Sequence, residues 1–302
     1  MTDTGDMSIA DAGAVAGQLS GAALGQAGET DELVIQPRRG WIAVDWRELW
    51  RSRELLYFLV WRDVKVRYKQ TVLGAAWALL QPLATMVVFA LFFSRAAQNG
   101  TGSHPYPLFV LAGLLPWFFF SNAISSASQS IVSNQNLVTK IYFPRVLIPM
   151  GAVGAGLVDF GISLGLLLVM MILYGVASGW SALVLPLLIA LLLIAALGIG
   201  TLLSALTVAY RDFRHVVPFM VQLWMFATPA IYLNDAGIIG PRWQWLMAFN
   251  PANGLIVNFR NAAFGDALDW YALGVSASMS FALILAGGFY FRRIERSFAD
   301  VI

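Results

Sequence analysis

The sequence predicts an all-α polytopic membrane protein with six transmembrane helices, and three observations carry that prediction. Uncharged runs long enough to cross a bilayer recur. Thr71 to Ser94 alone has 24 residues without a formal charge, against about 20 needed for a helix to cross a roughly 30 Å hydrocarbon core. Only 12% of the 302 residues are charged and 59% are hydrophobic, whereas a soluble domain averages about 25% charged. Basic residues also crowd alternate linkers, as in proteins that cross a membrane repeatedly.

Residues 1–36 are rich in Gly and Ala, carry Asp3, Asp6, Asp11, Glu29, Asp31 and Glu32, and have no basic residue. With little to bury they are expected to form a flexible acidic tail, leaving 37–302 as the membrane domain. No basic n-region and short apolar h-region opens the chain, so the first span is expected to serve as the insertion signal. From Asp45 to Lys69 the spacing turns helical. Trp46, Leu49, Trp50, Leu56, Tyr57, Val60 and Val64 form a stripe interrupted by Arg53, opposite Arg47, Arg51, Glu54, Arg62, Lys65 and Lys69, with Phe58 an exception. A basic helix anchored by Trp46, Trp50, Arg53 and Trp61 reads as an interfacial helix on the cytoplasmic leaflet. The competing reading is a cytosolic helix packed on its own protein.

Spans follow near 71–94, 107–131, 146–175, 181–209, 216–233 and 270–291. Nine Lys and Arg precede the first span, and Lys140 with Arg145, Arg211 with Arg214, and Arg292, Arg293 and Arg296 lie on the same side. Only Arg95, Arg242 and Arg260 lie on the other. Sixteen against three places both termini in the cytoplasm. Trp243 to Phe264 is apolar enough for a seventh span. However, Asn250-Pro251 breaks it and Asn253, Asn258, Arg260 and Asn261 load its second half. It reads as two re-entrant half-helices dipping into the outer leaflet or capping a cavity.

Several chemistries are missing. None of the three lysines, Lys65, Lys69 and Lys140, follows a glycine, which excludes a phosphate-cradling G-x-x-x-x-G-K loop. His104 and His215 are in different loops, no acidic pair has metal-ligand spacing, and the chain has no cysteine. The chain is therefore not expected to be an enzyme on its own or to bind a cofactor or metal, and a membrane glycosyltransferase lacks its acid/base pair. Asp159, in the third span, is the one deep ionisable residue. It either relays protons for an ion-coupled carrier or pairs with a Ser, Tyr or backbone group at a helix interface.

Two cytoplasmic linkers look built for a partner. Leu137 to Pro149 sets Lys140 and Arg145 among Ile141, Tyr142, Phe143 and Pro144, reads as a short surface helix, and has the aromatic and arginine content of an interface centre. The second is Tyr210-Arg-Asp-Phe-Arg-His215, with Arg211 and Asp212. In the spans, Trp77 accompanies Gln81 and Trp224 accompanies Gln222. An amide is costly in hydrocarbon unless paired, so ring plus amide suits a wall facing water and sugar.

Arg67-Tyr-Lys-Gln-Thr-Val-Leu-Gly-Ala-Ala-Trp-Ala-Leu-Leu-Gln-Pro-Leu83 resembles the approach to the first span of polysaccharide and polyol-phosphate ABC export permeases, a type-2 ABC permease branch serving O-antigen, capsule and teichoic acid. Leu111 to Phe120, Asn136 to Arg145, Tyr210-Arg-Asp212, Thr228-Pro229, Phe249-Asn-Pro251 and Phe298 to Ile302 fit the same pattern, in order, over about 45–302. The resemblance implies a homodimeric channel in the bacterial inner membrane that exports a polyprenyl-diphosphate-linked polysaccharide. Each permease would carry one separate ABC ATPase subunit, two per transporter, and ATP and Mg would bind there. Lys140 to Arg145 would lie in a cytoplasmic helix seated in the ATPase, with Arg211 and Asp212 a second contact.

The first and fifth spans would line the channel with Trp77, Gln81, Phe89, Phe93, Phe219, Gln222, Trp224, Phe226 and Tyr232. Asn250, Pro251, Asn253 and Arg260 would form its outer gate. Membrane lipid is the other expected partner, and nucleic acid is not one. The alternatives are a permease for a small lipid or drug, and a carrier coupled through Asp159.

Overall fold

The computed structural model describes residues 46–69, 76–97, 104–140, 143–228 and 249–295. Among them the chain is helical, in the order α1 (Trp46–Arg51), α2 (Arg53–Lys69), α3 (Ala76–Ala97), α4 (Tyr106–Ser133), α5 (Gln135–Lys140) and α6 (Leu147–Tyr174). A short 3₁₀ helix (Trp180–Val184) leads into α7 (Leu185–Ala209), followed by α8 (Phe213–Phe226), α9 (Pro251–Phe264) and α10 (Trp270–Glu295).

Among the described residues five segments are long and apolar enough to cross a membrane, namely Ala76–Phe93, Tyr106–Ser133, Leu147–Tyr174, Trp180–Ala209 and Trp270–Glu295. They coincide with five of the six predicted spans. The sixth, 216–233, starts in the 14-residue α8 and continues beyond Thr228 outside the described residues. The tail 1–36 and the C-terminal Phe298 to Ile302 also lie outside them.

α4 is the centre of the bundle. It packs on α3, α6, α7, α8 and α9, and Leu108, Leu111, Leu114, Phe120 and Ile124 are fully buried. Lipid gives no hydrophobic drive for helices to associate, so close packing of small residues must hold them. α7 and α10 meet at Gly198 and Gly287, where a Cβ on Gly287 would stand 2.2 Å from the Gly198 carbonyl oxygen. α9 and α10 form a tight hairpin in which a Cβ on Gly254 would stand 2.3 Å from the Ala272 carbonyl oxygen. A second, smaller apolar cluster joins Ile131, Val138, Ile148, Ala205, Val208 and Phe291 at the far end of the bundle.

α2 departs from the single predicted stripe. Leu59 is buried against Gly151 of α6, and Val60 lies over Gly154. Trp50, Tyr57, Phe58 and Trp61 are all exposed. Apolar residues thus surround the helix, so it docks on its own protein with one side and holds out an aromatic stripe with the other. The paired positions climb both helices together, so α2 runs alongside α6 in the same direction.

Candidate functional site

That parallel docking carries the end of α2 to the middle of α6, and there the deep carboxylate finds partners. Asp159 accepts hydrogen bonds from the Arg67 guanidinium and from the Tyr68 hydroxyl. Burial and the bond to Asp159 push the Tyr68 phenol up to about 12, so it remains a donor at physiological pH. The Ser163 hydroxyl, one turn along α6, bonds the carbonyls of Asp159 at 2.9 Å and of Ala78 at 3.3 Å, tying α3 to α6. Of the two readings of Asp159, the pairing with a Tyr at a helix interface is present, and Arg67 from the basic cluster joins it.

Arg67, Tyr68 and Asp159 stand in the wall of a cavity of about 600 Å³ between α2, α3, α4 and α6. α3 contributes Trp77, Ala78, Gln81 and Pro82. α4 contributes Leu115, Phe118, Phe119, Asn122, Ser125 and Ser126, and α6 contributes Gly156, Asp159, Phe160 and Ser163. Trp77 and Gln81 thus line one cavity together. Asn122, Ser125 and Ser126 were missed, although their i, i+3, i+4 spacing puts them on one helix face and was readable as a polar stripe within an apolar span.

Trp224 is elsewhere. Its ring meets Phe120 edge-on with centroids 5.4 Å apart and Trp117 at 6.5 Å. Those positions lie on the face of α4 opposite Phe118 and Phe119, so the fifth-span tryptophan and Trp77 do not share a wall within one chain. Phe219, Gln222 and Phe226 of α8 are exposed, and on α3 the half-buried Phe89 meets the exposed Phe93 at a tilt, with ring centroids 5.7 Å apart. Tyr232 lies outside the described residues.

The Trp224 indole N–H donates to Asn250 Oδ1 at 3.1 Å, and the same oxygen accepts the Ala252 amide as the N-cap of α9. The Asn250 amide donates to the Ala227 carbonyl and to Thr228 Oγ1 at 2.9 Å. Asn250 therefore stitches the end of α8 to the start of α9. Of the two predicted half-helices, the second is this single helix, and the first falls largely outside the described residues. Pro251 sits in its first turn, where it gives up no backbone hydrogen bond. Asn253 is buried, and the Arg260 guanidinium lies 3.8 Å over the Phe109 ring, a cation–π contact in the core.

At the far end of the bundle, the described part of the short surface helix predicted within Leu137 to Pro149 is helical up to Lys140 and again from Leu147. α5 ends at Lys140, Ile141 and Tyr142 lie outside the described residues, and Phe143 to Arg145 is not helical. Pro144 disfavours helical backbone at the residue before it. Lys140 is exposed, Phe143 packs on the second apolar cluster, and Arg145 binds the end of α10 through its Nη1 to the Glu295 carbonyl at 2.5 Å. Its backbone amide donates to Glu295 Oε1 at 3.1 Å. Arg211 and Asp212 are exposed between α7 and α8. On α1 and α2, Trp50, Arg53 and Trp61 are exposed, Arg53 stands 5.3 Å from the Trp50 ring, and the Trp46 side chain is outside the described residues.

The profile of the ABC-2 type transporter family matches residues 54–264. An O-antigen export system permease protein RfbA from Myxococcus xanthus is 32% identical over 257 residues, covering 85% of this chain and 98% of its own. A protein of the same name from Klebsiella pneumoniae is 25% identical over 250 residues, 82% of this chain and 95% of its own. The polysialic acid transport protein KpsM of Escherichia coli is 24% identical over 235 residues, 74% and 89%.

Proposed function

The chain belongs to the ABC-2 type transporter family, and from that premise we propose that it is the permease subunit of an ATP-driven exporter of a lipid-linked polysaccharide. Its relatives named for O-antigen export align along nearly their whole length, and that is the observation that carries the reading. As a multi-pass membrane subunit it works with an ABC ATPase. In our reading two copies of the chain pair in the bacterial inner membrane with both termini in the cytoplasm, and ATP with Mg binds the two ATPase subunits.

The exposed cytoplasmic groups, Lys140 together with Arg211 and Asp212, are the contacts we assign to the ATPase. Phe143 and Arg145 pass the motion on, because one packs on the end of the bundle and the other holds the end of α10. Trp77 and Gln81 face the moving glycan. Asn250, Pro251, Asn253 and Arg260 support the outer gate from behind, since their burial suits a rigid backing. The pairing of Asp159 with Arg67 and Tyr68 favours a structural carboxylate over an ion-coupled carrier.

Deleting the gene should leave glycan on its carrier lipid inside the cell and strip it from the surface, read by lectin labelling and lipid extraction. Normal surface glycan would remove the reading. Replacing Arg145 by Ala should lower export for each ATP hydrolysed in reconstituted vesicles, and an unchanged ratio would remove its transmitting role.

A further inference from the structure

The cavity between α2, α3, α4 and α6 also bears on which part of a cargo it can hold. Among its described lining residues the formal charges are those of Arg67 and Asp159, and these two are bonded to each other. A guanidinium and a carboxylate in contact give the cavity no net formal charge, so it attracts an anion far less than a lone guanidinium would.

The pair is nonetheless within reach of a ligand, with side chains 39% and 27% exposed. Gln81 and Asn122 add amides that both donate and accept, and Trp77 is 57% exposed. A flat apolar ring beside a rim of paired donors and acceptors is the complement of a pyranose, whose C–H face is apolar and whose edge is hydroxyl. The volume of about 600 Å³ lies within the range of small-ligand cavities.

We propose that this cavity binds uncharged sugar units of the exported chain, and that the Arg67–Asp159 pair makes it discriminate against the phosphate-bearing end. The proposal rests on the polysaccharide-export reading and assigns to Asp159 the part of a charge-cancelling specificity residue.

The chain has no cysteine, so Ser125→Cys places a single reporter in the cavity wall. In the full-length chain with its ATPase, in phosphatidylcholine nanodiscs, maleimide labelling is timed with maltohexaose, cellohexaose, mannohexaose or inorganic pyrophosphate. At least one hexasaccharide should slow labelling by about threefold or more, the mark of a site mostly occupied, while pyrophosphate should not. No protection by any hexasaccharide, or equal protection by pyrophosphate, overturns the proposal.

Asp159→Asn, nearly the same shape, should make pyrophosphate protective, and an unchanged profile overturns the charge-cancelling role. Trp77→Ala in the reporter background should abolish sugar protection, and retained protection overturns the stacking platform. Gene deletion separates the two levels. Lost surface glycan with failed protection sinks the cavity assignment alone, whereas retained surface glycan sinks the export reading itself.

Discussion

α3 and α4 are neighbours, comparably apolar and each long enough to span a bilayer, yet 78% of the most apolar 18-residue stretch of α4 is buried inside the protein and only 11% of that in α3. Hydropathy does not distinguish them. α4 admits close neighbours through small residues: a Cβ on Gly200 of α7 would come within 2.7 Å of the Ala127 Cβ. α3 instead turns Leu80, Val87, Val88, Leu91, Phe92 and Phe93 outward and touches the bundle with a narrow strip that includes Pro82 and Met86. A bundle needs one helix filled on all sides. A transport path needs another with surface left over for lipid, cargo or a second copy.

The difference is open to breakage in proportion to burial. Phe120→Ala, at a fully buried α4 ring, should cost about 3–5 kcal/mol, while Phe92→Ala on the exposed face of α3 should stay within about 0.5 kcal/mol. Unfolding midpoints in detergent compare the two directly, and equal losses would erase the contrast. Asn250→Ala comes next. It removes the acceptor of the Trp224 indole and the donor to Thr228, and leaving such buried groups unmet should cost about 2 kcal/mol. The same assay reads it, and a loss no larger than that of Phe92→Ala would mean that α8 and α9 hold together without the stitch. Gly154→Ala is milder. Its Cβ would come 2.7 Å from Val60 Cγ2, costing about 1 kcal/mol through displacement of a stiff side chain, and adding Val60→Ala should recover most of it if α2 docks on α6 as described.

Membrane helices were legible in the sequence because charge and length alone determine them, which is why five predicted spans reappear with boundaries shifted by a few residues. The partners of single side chains were less so. Asp159 looked alone because its cation lies some ninety positions earlier, in a helix assigned to the membrane surface, and only the docking of Leu59 and Val60 against two glycines brings Arg67 to it. The stripe on α2 is hard to read for a related reason, since the unbroken apolar run Leu55 to Trp61 goes round the helix and leaves no single face. Asn122, Ser125 and Ser126 were legible but overlooked among aromatic neighbours. Arg145 illustrates the opposite limit. Its residue type marked an interface, and its described contacts fix it to the end of α10 of its own chain.

Trp77 and Trp224 sharpen the comparison to single rings, because each stands near a glutamine in an aromatic span and the sequence treats them alike. Trp224 is wedged on Trp117 and Phe120 with its N–H bonded to Asn250, so it belongs energetically with α4. Trp77 is exposed on the cavity wall and gives the fold little. Trp77→Ala should therefore leave the unfolding midpoint within the range of a surface change, about 0.5 kcal/mol, while export of glycan to the cell surface falls. Trp224→Ala should lower both. A destabilised Trp77 variant would make that ring a packing residue, and a stable one with undiminished export would empty the cavity of its assigned role. Only stability retained together with transport lost is consistent with α3 as the helix whose uncovered surface faces the cargo.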